Sequence, residues 1–135
     1  GNAGVLLTRT LYLKSTPAKH FAVVDAGMND LIRPALYEAE QVVAPAEVHA
    51  GPALKYDIVG PVCESADWLA RDRTLALEEG DLLAVLSSGA YGMVMASNYN
   101  SRGRPAEVLV DGAKAILIRP RETAEQLYAS ERLLP

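Results

Sequence analysis

Three stretches of this chain hold side chains whose types and spacing can do chemistry. In Gly60-Pro61-Val62-Cys63-Glu64-Ser65-Ala66-Asp67 the one cysteine of the chain adjoins a carboxylate, just after a Gly-Pro break. A thiol and an acid can serve one ligand, but neighbours on a strand point to opposite faces, so the chain must turn there for both to reach it. The Gly-Pro before and the Ser-Ala-Asp after supply such a loop. The competing reading is a buried free cysteine that only packs. In Arg33-Pro34-Ala35-Leu36-Tyr37, Arg33 and Tyr37 are four residues apart and share one face of a helix start. A guanidinium fork with one extra phenol donor makes a carboxylate site; a surface arginine stacked on a tyrosine has the same spacing. In the third stretch, residues 87–100, Tyr91 lies between Gly89-Ala90 and Gly92. Small neighbours let a backbone approach a ligand closely, whereas Met93 and Met95 nearby also suit an aromatic core residue. Ser88-Gly89 has the look of a phosphate-contacting turn.

The elements that must position these residues are mostly strands. Val5 to Leu13 alternates apolar residues with Thr8, Thr10 and Tyr12, as a half-buried strand does. His20 to Asp25 is a second run, stopped by Ala26-Gly27, and Tyr56 to Val59 a third, stopped by Gly60-Pro61. Leu82 to Leu86 is continuous and suits a buried strand. Two further runs, Glu107 to Val110 and Ala115 to Ile118, flank Asp111-Gly112, which predicts a hairpin turning on that dipeptide. Helices are short. Pro34 fits the first turn of one running to Ala39, with Arg33, as the residue before proline, biased towards a cap position. Residues 90–98 predict two helical turns weakened by Gly92, and Glu122 to Tyr128 a terminal helix. Short strands with turns between them predict a mainly β domain, a sandwich or barrel with a few short helices.

At 135 residues the chain fits one domain, and at 50% apolar residues it can fill a core. A net charge of −4 with both signs interspersed leaves no basic block for nucleic acid or a membrane surface. No apolar run reaches the roughly 18 to 20 residues needed to span a bilayer. A lone cysteine fits a reducing compartment, so the expected location is cytoplasmic. His20 and His49 are isolated, and no ligand spacing predicts a metal site. Arg102-Gly103-Arg104-Pro105 reads as an ordinary surface loop. The first residues, Gly1 to Leu7, have neither an initiator methionine nor a leader pattern, and read as the middle of a longer chain.

The three stretches, taken with Asp25-Ala26-Gly27-Met28-Asn29-Asp30 ahead of Arg33, occur in one order that resembles the C-terminal domain of diaminopimelate decarboxylases. These are pyridoxal-phosphate enzymes of the alanine-racemase-like fold type. The resemblance runs nearly end to end and implies that residues 1–135 are the β domain of such an enzyme, without its cofactor-binding (β/α)8 barrel. The family's cofactor lysine lies in that barrel, and Lys14, Lys19, Lys55 and Lys114 do not match it. The resemblance further implies a homodimer with active sites at its interface, into which Cys63 and Glu64 are presented from the partner subunit. Glu64 would face the distal ammonium of the substrate, Arg33 and Tyr37 its distal carboxylate, and Tyr91 the cofactor phosphate. Cys63 would act near the reacting carbon as proton donor or orienting group. Ornithine-type relatives more often carry aspartate after the cysteine, so Glu64 favours the diaminopimelate branch. The family usually has glycine where Ala66 stands. The implied reaction is decarboxylation of meso-2,6-diaminopimelate to L-lysine. The alternatives are a domain of an ornithine- or arginine-type decarboxylase, or a noncatalytic β interaction module.

Overall fold

The computed structural model describes residues 1–134. Six strands form one mixed sheet: β1 (Leu6–Ser15), β2 (His20–Val24), β3 (Val43–Pro45), β4 (Leu54–Val59), β5 (Trp68–Leu75) and β6 (Leu82–Val85), in the order β3-β6-β1-β2-β4-β5. All neighbours are antiparallel except β2 and β4, which run parallel from His20↔Tyr56 to Val23↔Val59. Parallel neighbours need a long crossover, and residues 25–53 provide it, carrying the one-turn helix α1 (Arg33–Tyr37) and β3. The two edge strands approach each other, and the Arg73 Nη2 of β5 donates to the carbonyl of Gln41 across the gap (3.4 Å). The sheet is thereby a nearly closed barrel.

Alternation explains the closure. Thr8 and Thr10 of β1, Ala22 and Val24 of β2, Tyr56 and Ile58 of β4, and Leu83 and Val85 of β6 point inward and are buried. Leu31, from the crossover, is buried in the same core. Leu82–Val85 therefore buries one face only, with Leu82 partly exposed, where a continuously buried strand was predicted.

Beyond the barrel, β7 (Glu107–Asp111) and β8 (Lys114–Arg119) form the predicted hairpin. Its loop is Gly112-Ala113 rather than Asp111-Gly112, since Asp111 pairs with Lys114 and only Gly112 has a positive φ. A positive φ at the first of two loop residues suits glycine, which has no Cβ to clash. The terminal helix α2 (Ala124–Tyr128) is shorter than predicted, and a reciprocal capping box between Thr123 and Gln126 starts it. Two other expectations are corrected. Residues 90–98 contain a single 3-10 turn, Met93–Met95, because Tyr91 takes a left-handed φ of 62° that breaks any helix there. Arg33 lies inside α1, whose cap is Ile32. The preceding turn, closed by Asp30 and Leu31 N–H groups on the Gly27 carbonyl, already feeds the chain into helical geometry.

Candidate functional site

The end of β2 launches the first part of the site. The Asp25 carboxylate accepts the Thr8 hydroxyl (2.6 Å) and the Arg9 N–H (2.8 Å), fixing the crossover to β1. The turn after it is held by buried polar groups. Asp30 accepts the Gly27 N–H (2.8 Å) and the Asn29 amide (2.9 Å). Asn29 in turn accepts the Arg102 Nε–H on its side chain (2.9 Å) and the Ser97 N–H on its carbonyl (2.9 Å). Arg102 also reaches the Asp25 carbonyl (2.6 Å). Burial pushes the Asp30 carboxyl above its ordinary range, against the pull of the Gly27 N–H and of Arg102. From this braced turn α1 projects Arg33 and Tyr37 on one face, and Glu38, with a φ of 53°, ends the helix.

Tyr91 comes from the segment after β6. Ser87 and Tyr91 both take left-handed φ values, and the turn between them is tight enough that a Cβ on Gly92 would lie 2.2 Å from the Ser88 carbonyl oxygen. The Ser88 hydroxyl donates to the Val85 carbonyl and the Gly89 N–H to that of Gly1, so both donors of the expected phosphate turn are already engaged. The turn sets the Tyr91 ring beneath the Arg33 guanidinium, 5.6 Å from its centroid. Arg33, Tyr37, Tyr91 and Met95 line a cavity of about 410 Å³. One guanidinium and two phenols face it and no carboxylate does, so its chemistry is that of an anion site.

Cys63 and Glu64 stand elsewhere. They occupy the exposed tip of the loop joining β4 to β5 and do not line that cavity. The loop is a tight turn. The Glu64 N–H donates to the Val62 carbonyl, and the Asp67 N–H to that of Glu64. The Tyr99 hydroxyl lies 3.4 Å from the Glu64 carboxylate. Ala66 is not among the residues with positive φ, so a side chain there strains nothing.

Sequence reasoning missed the residues that brace this arrangement: Asp67, Asn29, Tyr99 and Arg102. The loop of Arg102 and Arg104 is no ordinary surface loop. Arg104 pairs with Glu122 (3.5 Å), whose carboxylate also accepts the Arg104 N–H (2.9 Å) and the Asn98 amide (2.6 Å). Only the Arg-x-Arg spacing hinted at this; the partners are remote in sequence. His49 meets Asp81 at 2.8 Å and Lys19 meets Asp57 at 2.6 Å. Among the described residues there is no cluster of ligands for a metal ion, and no helix is long and apolar enough to cross a membrane.

Comparison with known proteins agrees with this architecture. Residues 2–89 match the family model of the pyridoxal-dependent decarboxylase C-terminal sheet domain. The diaminopimelate decarboxylase of Pseudomonas aeruginosa is 63% identical over 99% of this chain, and that of Vibrio cholerae 59% identical over the same share. The chain spans about a third of the length of these relatives (32% of each). The solved diaminopimelate decarboxylase of M. jannaschii in complex with L-lysine is 44% identical, with a TM-score of 0.95 over 99% of this chain and 31% of that one. A match that takes in all six barrel strands, with relatives this similar along the length of the chain, has one reading: the chain belongs to the pyridoxal-dependent decarboxylases, as their C-terminal sheet domain.

Proposed function

We propose that this chain is the C-terminal domain of a diaminopimelate decarboxylase, which removes one carboxylate of meso-2,6-diaminopimelate as carbon dioxide and leaves L-lysine. The observation that carries this reading is the meeting of Arg33, Tyr37 and Tyr91 around one donor-lined cavity. Its relatives' names support the same substrate.

Pyridoxal phosphate, bound largely by an N-terminal barrel domain, supplies the electron sink for the bond that breaks. The donor set fits one end of such a group: the exposed Tyr91 phenol suits a phosphate oxygen, and the amine the cofactor also needs would come from the barrel domain, since no lysine of this chain lines the cavity. This chain's own residues choose and hold the substrate. Arg33 grips the distal carboxylate with two parallel N–H donors, and Tyr37 adds a third. Glu64 accepts the distal ammonium. Partners that bound substrate desolvates in this way reject analogues that lack either group, because the site is then left unpaired. An ornithine-type substrate ends in an amine and gives Arg33 nothing to bind. Cys63, at the loop tip, holds or delivers a proton near the reacting carbon.

Cys63 and Glu64 do not line the cavity of their own chain and sit on a braced, exposed loop, which supports their serving the site of a partner subunit. The working unit is then a two-fold homodimer in the cytoplasm. The test is Arg33→Lys in the full-length enzyme. Lysine keeps the charge and loses the fork, so kcat/KM for diaminopimelate should fall about ten- to a hundredfold, the loss of one charged hydrogen bond of roughly 1.5 to 3 kcal/mol. Tyr91→Phe should lower bound cofactor per subunit far less, because the barrel also holds the phosphate. An Arg33→Lys efficiency within about twofold of wild type, under 1 kcal/mol, would remove Arg33 as the carboxylate anchor.

A further inference from the structure

The turn that leads into α1 and the loop that carries Cys63 and Glu64 leave the sheet from neighbouring strands, β2 and β4. One buried carboxylate joins them. Asp67 is only 4% exposed. Its Oδ1 accepts the Met28 N–H at 2.6 Å, and its Oδ2 the Val62 N–H at 2.6 Å. Its backbone closes the same loop, with the Gly60 N–H on the Asp67 carbonyl (3.0 Å) and the Asp67 N–H on that of Glu64 (3.0 Å). The carboxylate is wedged against Gly60 so closely that a Cβ there would lie 2.4 Å from Oδ2. Gly27 flanks the other oxygen, where a Cβ would lie 3.2 Å away. An ionised carboxylate is acceptor-only and suits two converging N–H groups; an amide in its place would oppose one N–H with another. Val62 precedes Cys63 directly, and Met28 opens the turn that delivers Arg33. The two arms of one side chain therefore set the distance between the two halves of the chemistry.

We propose that Asp67 is a positioning residue of the decarboxylase, which locks the Cys63–Glu64 tip to the turn that carries Arg33 and Tyr37. This rests on the functional reading given above. Asp67 touches neither substrate nor cofactor. In a dimer whose subunits exchange loop tips, it sets the offset between the site a subunit lines and the site it completes. A tilt of the loop would carry Glu64 off the distal ammonium while Arg33 keeps its grip, and displacements near 1 Å are enough to cost about a hundredfold in rate.

The test uses the full-length enzyme with Asp67→Asn, a substitution of equal shape. kcat/KM for diaminopimelate should fall about ten- to a hundredfold, much of it in KM, with bound pyridoxal phosphate per subunit unchanged. In a Glu64→Gln background the same substitution should add little further to KM, because the group it misplaces is already disabled. A general loss of stability would add in full. Hydrogen exchange of the substrate-free enzyme should quicken in residues 27–33 and 60–68 and stay unchanged in β1 and β6. Should Asp67→Asn fail to fold, Gly60→Ala displaces the carboxylate from its other side and should give the same pattern. Efficiency within about twofold of wild type, full additivity in KM, or unchanged exchange in both segments overturns the proposal. If wild type does not decarboxylate diaminopimelate, the functional reading falls, and the exchange measurement still decides the role of Asp67.

Discussion

The barrel and the β7–β8 hairpin are built from the same residue types and treat them oppositely. Ile58, Leu69, Leu83 and Val85 of the barrel are fully buried, whereas Val110, Leu117 and Ile118 of the hairpin are 59 to 70% exposed. Cross-strand partners share a face, so Leu109 with Ile116 lies on one side and Val108 with Leu117 on the other. Both sides are apolar and both are bare. A two-stranded sheet is marginal on its own, and a sheet apolar on both faces suits burial on both. The barrel is held by its inside. The hairpin has no surface to pack on among the described residues, so its apolar side chains contribute through whatever covers them.

The sharpest test of that contrast sets Leu69→Ala against Leu117→Asn, with denaturant unfolding of this chain as the measure. Leu69→Ala should lose about 2 to 5 kcal/mol, the cost of an emptied core site. Leu117→Asn should stay within about 0.5 kcal/mol, while in the full-length enzyme it should lower stability clearly. Equal effects of the two in this chain would abolish the distinction. A smaller effect separates the regions by pH. The Asp30 carboxyl is pushed up by burial, so the fold favours its protonated form. Its contribution is fully present below the ordinary aspartate value and is lost as pH rises through the raised one. Asp30→Asn should flatten that fall in stability, followed by thermal unfolding across mildly acidic pH; an unaltered slope would mean that Asp30 is not its source. The smallest effect belongs to the hairpin's ion pair between Arg119 and Glu107, which is open to solvent. A double-mutant cycle on it should give about 0 to 1 kcal/mol, shrinking with salt.

What the sequence disclosed follows the range of the interactions. Gly60-Pro61 marks the end of β4, Gly112 the hairpin loop and Pro34 the first turn of α1 by local backbone chemistry, and the strands that alternate cleanly were legible for the same reason. Strand β5 was not. Arg71, Asp72 and Arg73 interrupt its apolar pattern, Asp72 takes a φ of 54°, and its N–H is satisfied by the Asp57 carboxylate on the neighbouring strand (3.0 Å). That is a local irregularity whose explanation lies 15 residues away. Strand β3 is three residues long and ends in Pro45, which an edge position tolerates. The Arg33–Tyr37 spacing gave a shared face directly, and the cavity bears it out. Its meeting with Tyr91 could be expected only through the family resemblance. Asp67 was invisible as a brace because its partner Met28 is 39 residues away, and Arg102 because Asn29 is 73 away.

The crossover between the parallel strands has a kinetic consequence. Strand β2 cannot find β4 until residues 25–53 have been looped out, and this closure entropy must be met before the pairing returns anything. The helix with Arg33 and Tyr37 lies inside that loop. It is too short to persist alone, and the bond from Met28 to Asp67 exists only once the parallel pair has formed. The segment that carries Arg33 and Tyr37 is thus scheduled to fold together with the parallel pairing of the sheet. Substitutions in the turn from Gly27 to Leu31 should accordingly show up in the refolding rate as well as in affinity.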